Sequence, residues 1–145
     1  MVLDYDLNHN EEVLSAIGKQ ADKVEILVNE ICYPGCPKRS EHYRQQSQMQ
    51  LEYDIDAAFP CPNKTRERKF EECKERPSFI SRYQIREYAD RGFVNFKIVG
   101  RGMPMDFVKE SYLYYLVKDD SRAFIRNKME STLNQFAQAM RKRKA

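Results

Sequence analysis

The four cysteines are the residues of this chain whose type and spacing best suit chemistry. Thiolates are soft ligands for zinc and for iron–sulfur clusters, and four of them can hold a tetrahedral zinc ion or a 4Fe–4S cluster. Prolines next to the second and third cysteines predict stiff loops around the sulfur atoms. We therefore predict a metal centre with four ligands, Cys32, Cys36, Cys61 and Cys73.

The spacing of these cysteines differs from two common motifs. A zinc ribbon carries two C-x2-C pairs, whereas Cys32 and Cys36 form a C-x3-C pair. The C-x3-C-x2-C run of radical-SAM enzymes is not present, because Arg39 occupies the third position. A catalytic thiol at Cys36 would need a base, and His42 on the following helix is the candidate. The spacing leaves an iron–sulfur cluster and zinc open.

Three apolar segments predict parallel strands that position these residues. They span residues 2–7, 24–28 and 94–99, and helical patterns follow or precede them. Strand, helix and strand within the first 30 residues are typical of a parallel βαβ unit. Ser81 and Gln84 form a capping box that begins the helix before the third strand.

We expect a mixed α/β fold of parallel βα units: a partial or half TIM-type barrel with extra C-terminal helices. A complete barrel takes about 250 residues, so we expect either a missing N-terminal half or self-association of half-barrels. Residues 1–118 would form the partial barrel with a cysteine-rich insert at 32–76, and residues 119–145 a helix and a basic tail.

Polar side chains follow each predicted strand, where the sites of parallel α/β folds lie. These are Asn8, Asn29 with Glu30, and Arg101. We predict that Asn8, Asn29 and Arg101 bind substrate. Arg39 joins them, because it lies near a helix start where a phosphate or carboxylate can bind.

Glu30, His42 and Lys97 are the predicted catalytic residues. Lys97 is a charged residue in an apolar strand, between Phe96 and Ile98. If those two pack beneath the helices, Lys97 points into the barrel. A lysine buried there needs a partner, which favours a role in substrate binding or electrostatic catalysis.

Composition and charge limit the partners and the compartment. The net charge is +3, and part of the basic excess is the terminal run 141–144, which suits RNA or another polyanion. No apolar run approaches the roughly 20 residues that span a bilayer, so no membrane is expected. The first ten residues lack the basic region of a signal peptide, which favours the cytoplasm. We expect RNA or a small molecule as substrate.

Two segments resemble the barrel portion of the collagenase-like peptidase family, peptidase class U. They are LVNEICYPGCP at 27–37, extending through His42 and Tyr43, and NFKIVGR at 95–101. The resemblance covers about residues 2–118 and suggests a divergent member or a C-terminal barrel fragment. It implies a TIM-type barrel, a 4Fe–4S cluster on the four cysteines, and hydroxylation of RNA bases or of a quinone precursor. The first two cysteines lie closer together here than in that family.

Two alternatives remain at this stage. The chain could be a zinc-stabilised, non-catalytic binding module whose basic tail contacts RNA. It could also be a peptidase or hydrolase, as the name of the family suggests, although the sequence has no serine–histidine or zinc-hydrolase pattern.

Overall fold

A pair of parallel strands lies at the centre of the computed structural model, which describes residues 1–52, 61, 69–100 and 103–142. Strand β1 (Glu25–Leu27) pairs with strand β2 (Asn95–Lys97), and Ile26 lies opposite Phe96. The described α-helices, in chain order, are α1 (Glu11–Ile17), α2 (Arg39–Glu52), α3 (Phe70–Lys74), α4 (Arg82–Asp90), α5 (Met105–Leu116) and α6 (Arg122–Lys142). The mixed α/β class and the parallel pairing are thereby confirmed, in a structure that is mostly helical.

The main hydrophobic core forms on one face of the two strands. Val24, Ile26 and Val28 are buried there, because alternate residues of a strand point to the same face. Helix α1 contributes Leu14 to this core and helix α4 contributes Tyr88. Burial of these side chains is the main favourable term that holds the helices on the sheet.

A second, aromatic core lies at the carboxyl ends of the strands. Phe70 of α3 packs edge-on against Phe107 of α5, with ring centroids 5.9 Å apart, and Cys73 is buried among them. The hydroxyl of Tyr115 donates to the carbonyls of Val28 and Ile80 at the end of β1. Helix α5 is therefore anchored at the strand ends, where sequence reasoning placed an open site.

The first predicted strand, residues 2–7, is wrong for most of its length. Val2 makes one isolated parallel bridge to Glu25, and Tyr5–Leu7 form a 3-10 helix. The cause is local, because the Asp4 carboxylate accepts a hydrogen bond from the Asp6 N–H and caps this turn. The described residues thus contain two strands instead of three, and the half TIM barrel is not confirmed.

The helices predicted from capping and periodicity are present. Ser81 and Gln84 make both hydrogen bonds of the capping box at the start of α4. Helix α6 follows a 3-10 turn at Asp119–Ser121 and forms ion pairs with α5, Lys109 with Glu130 at 3.0 Å and Glu110 with Arg126 at 2.5 Å. None of the helices in the described ranges combines the length and apolar character needed to cross a bilayer.

Candidate functional site

Asn29 ties the carboxyl ends of both strands to helix α5. The side chain is fully buried. Its Oδ1 accepts from the Val99 N–H at 2.6 Å, and its Nδ2 donates to the Val99 carbonyl at 3.3 Å and to the Ser111 hydroxyl at 3.2 Å. Beyond the end of β2, the Asn29 amide therefore takes the place of a neighbouring strand as the hydrogen-bond partner of the Val99 backbone. Substrate binding by Asn29 stays a prediction, and its observed contacts are structural.

Asn8 performs a similar function on the other side of β1. It is also fully buried, and its Nδ2 donates to the carbonyls of Leu27 at 2.7 Å and Ser78 at 2.8 Å. Two of the polar residues that follow the predicted strands, Asn8 and Asn29, thus both lie at the carboxyl end of β1. Their side-chain amides bond to backbone groups at the end of the sheet, because buried backbone groups need hydrogen-bond partners.

Glu30 starts the loop that carries the first two cysteines. Its Oε1 accepts from the N–H groups of Ile31 and Cys32, both at 2.9 Å. The residue is 9% exposed, so this carboxylate is largely removed from water. It fixes the turn of the chain out of β1 and places a negative charge beside Cys32. Its predicted catalytic role remains a prediction.

An ion-pair clamp fastens the other end of the cysteine loop to the N-terminal turn. Arg39, at the start of α2, donates to both carboxylate oxygens of Asp4 at 3.0 Å and lies 2.9 Å from Asp6. Asp6 also accepts from the Gly35 N–H at 2.9 Å. Gly35 has φ +67°, a backbone conformation that favours glycine. Arg39 is thus committed to carboxylates of the chain itself, and its role in binding substrate stays a prediction.

The thiols of Cys36 and Cys61 lie close enough to Cys32 to affect its pKa. Burial, together with the negative charges of Glu30, Cys61 and Cys36, raises the pKa of Cys32 to about 11. All four cysteines of the chain are free thiols. A protonated Cys32 is a poor nucleophile at neutral pH, whereas a metal ion would displace its proton. The electrostatics therefore suit a metal ligand better than a catalytic thiol.

Cys73 has a different environment from Cys32. It is fully buried in the aromatic core, and its Sγ donates to the Glu30 carbonyl at 3.5 Å. Burial raises its pKa to about 12, with Glu30 adding to the shift and Arg76 opposing it. Across residues 1–52, 61, 69–100 and 103–142, no three cysteine, histidine or acidic side chains group as a metal site. The four-cysteine centre is therefore not assembled among the described residues, and it stays a prediction.

The inward orientation predicted for Lys97 is wrong. Its side chain is 51% exposed and pairs with Glu25 on the neighbouring strand, Nζ to Oε1 3.0 Å. Phe96 does pack against the core, as expected. Asn95, on the same face of β2, is exposed as well, so Lys97 needs no buried partner. Its catalytic role remains a prediction.

Two predicted site residues remain, His42 and Arg101. His42 is in the first turns of α2, partly exposed, and its backbone N–H donates to the Lys38 carbonyl at 2.9 Å. Its catalytic role stays a prediction. Arg101 lies outside the described residues.

Two residues near the cysteine loop were missed by sequence reasoning. Arg76 is 8% exposed, and its guanidinium carbon lies 4.1 Å from the ring centroid of Tyr33, between the first two cysteines. The segment around Arg76 is highly charged in sequence, so nothing marked this arginine as the buried one. Tyr33 was visible as an aromatic residue within the loop, but its partner lies far away in sequence.

Comparisons with protein-family models, with curated proteins and with solved structures found no significant match to this chain. The resemblance to the collagenase-like peptidase family therefore stays a prediction, together with the cofactor and the reaction that it implies.

Replacing Asn29 by alanine should destabilise the fold by about 2–4 kcal/mol, because it removes a fully buried amide and leaves the part-buried N–H of Val99 without its partner. Urea denaturation followed by circular dichroism measures this loss. Asn134→Ala, on the exposed part of α6, is the matched control and should change stability by less than about 0.5 kcal/mol. Equal stability of the two variants would contradict the structural role of Asn29.

In metal-free protein, alkylation of Cys32 should be slow at pH 7 and rise towards pH 11, following its raised pKa. The unfolded thiol ionises near pH 8.5, so the unfolded chain loses this proton first and Cys32 lowers stability as pH rises from about 8.5 to 11. Mass spectrometry after timed iodoacetamide pulses measures the rate at each cysteine. Full-rate labelling of Cys32 at pH 8 would contradict this assignment.

Proposed function

We propose that this chain binds an iron–sulfur cluster through Cys32, Cys36 and Cys61, as part of an enzyme that modifies RNA or a small metabolite. Because the three side chains form no ready-made ligand group in the described structure, we expect them to come together when the metal binds. The observation that supports the proposal is that Cys36 and Cys61 both lie close enough to Cys32 for their charges to raise its pKa. Soft donors concentrated in this way favour thiophilic metals over hard cations.

The construction of the loop supports the same proposal. Glu30 and Asp6 accept from its backbone N–H groups, and Arg39 fastens the clamp at the start of α2. None of these contacts uses the thiol of Cys32 or Cys36. The loop is thus held in position by contacts that do not involve these two sulfur atoms.

When bound, a cluster would supply redox-active iron at the surface of the cysteine loop. The residues of the chain have separate tasks. Asn8 and Asn29 close the sheet edge beneath the loop, Glu30 orients its first turn, and Arg39 holds its last turn. The reaction type, hydroxylation, rests on the sequence resemblance alone.

We also propose that the parallel unit is a half-barrel completed by association at the free edge of β2. In the described residues β2 pairs only with β1, and Val94 beside it is 62% exposed. Parallel sheets are normally covered on both faces, and an open edge favours pairing with another strand.

Metal analysis of protein purified without oxygen tests the cluster. We expect iron, acid-labile sulfide and broad visible absorption, and we expect Cys36→Ser and Cys61→Ser to lose most of the iron. Cys73→Ala is the matched control and should retain it. Zinc without colour would favour the binding-module alternative. Equal loss in Cys73→Ala would restore the four-cysteine centre, and wild-type protein without metal after reconstitution would refute the proposal.

Sedimentation velocity tests the association. We expect a species of twice the chain mass, which Val94→Lys should shift to the monomer because an edge lysine opposes strand pairing. Lys118→Glu, at an exposed position away from β2, serves as the surface-charge control. A wild-type monomer at about 100 μM, well above the Kd of stable dimers, would contradict self-association.

A further inference from the structure

We propose that Arg76 forms a binding site for a small oxyanion, a carboxylate or a phosphate group, beside the cysteine loop. The site lies in the turn between helices α3 and α4, which leads to the carboxyl end of β1. It goes beyond the proposed function, because it requires no metal and uses none of the proposed ligands.

The first observation is a buried cation without an anion. Arg76 is 8% exposed, and its Nε is buried with no hydrogen-bond partner. Within the part of the chain that the structure describes, no carboxylate forms an ion pair with it. A buried, unpaired charge is costly, and the cost is recovered when an oxyanion supplies both the opposite charge and the missing acceptors.

The second observation is the orientation of the guanidinium. Its carbon lies 4.1 Å from the centroid of the Tyr33 ring, so one face of the group is covered by the ring. Stacking of this kind uses the face of the guanidinium and leaves its in-plane N–H groups for hydrogen bonds. The fork of Nε and one Nη matches the two oxygens of a carboxylate or phosphate. Tyr33 is 40% exposed, which places this site at the surface of the loop.

The third observation is a second unpartnered donor in the same turn. Ser78 is 1% exposed, and its Oγ has no hydrogen bond in the described structure. The Phe79 N–H closes this turn onto the Arg76 carbonyl at 3.0 Å. Buried polar atoms are normally bonded, so the turn has unused hydrogen-bonding capacity at Ser78 as well as at Arg76. In the proposed site, the Ser78 hydroxyl donates to the oxyanion.

The position of the site defines the class of substrate. An oxyanion held by Arg76 lies next to Tyr33, and therefore next to the loop between Cys32 and Cys36. The rest of such a molecule would extend over the cysteine loop. This suits a carboxylated metabolite or a phosphate-bearing nucleotide equally, and the two sources are separated by experiment.

The side-chain Nε–H resonance of Arg76 reports binding directly in wild-type protein. It is assigned as the ¹H–¹⁵N signal that disappears in Arg76→Lys, and metal-free protein is titrated separately with inorganic phosphate and with acetate. We expect a saturable shift with at least one anion, and the anion that binds more tightly identifies the source. A signal that moves with neither anion beyond the shift caused by equal chloride overturns the proposal.

Two charge-matched variants separate the site from general surface charge. Arg76→Gln should weaken binding at least about tenfold, the loss expected for one charge-assisted bidentate contact. Arg86→Gln removes an exposed arginine of α4 and should stay within about twofold of wild type. Equal loss in both variants overturns the proposal. Circular dichroism verifies folding, and Ser78→Ala, with an expected smaller loss, replaces Arg76→Gln if that variant unfolds.

Metal content measured on the same variants keeps this site distinct from the proposed cluster. Arg76→Gln should bind as much metal as wild type. Wild-type protein that binds anions without binding metal would refute the cluster and retain the oxyanion site. Wild-type protein that binds metal without binding anions would refute the oxyanion site and retain the cluster.

Discussion

The amide of Asn29 is the interaction on which the rest of this structure depends. Two strands of three residues each provide few ladder hydrogen bonds, and the chain leaves both of them at the same edge. Asn29 extends the pairing to Val99 and reaches Ser111 of helix α5. One side chain thus joins sheet, edge and helix, and the cysteine loop begins at the next residue.

Much of the fold could be predicted from local sequence signals. The apolar segments 24–28 and 94–99 predicted both strands, and the Ser81–Gln84 spacing predicted the start of α4. Residues 2–7 carry the same apolar pattern, yet Asp4 bonds to the backbone of its own turn and competes with strand pairing. A short-range hydrogen bond of this kind depends on one side-chain rotamer, which hydrophobic periodicity does not describe.

The candidate site was less predictable, because its contacts join residues far apart in sequence. The cysteine loop was recognisable from its prolines and spacing, and so was the meeting of polar residues at the strand ends. The burial of Cys73 depends on Phe70 and Phe107 packing around it, and the ion pair of Lys97 depends on which strand lies beside β2. Both are tertiary properties that no single segment encodes. Arg76 and Tyr33 meet across two helices for the same reason.

The last part of helix α6 has a consequence for how the molecule unfolds. From Glu130 to Lys142 every described residue is exposed, including Phe136 at 67%. A helix without tertiary packing depends on its own propensity, and such short segments are only marginally stable in water. Opening of these turns costs far less free energy than global unfolding. The cooperative unit of this protein therefore ends near the Lys109–Glu130 ion pair, and the turns beyond it exchange their amide hydrogens while the core stays folded.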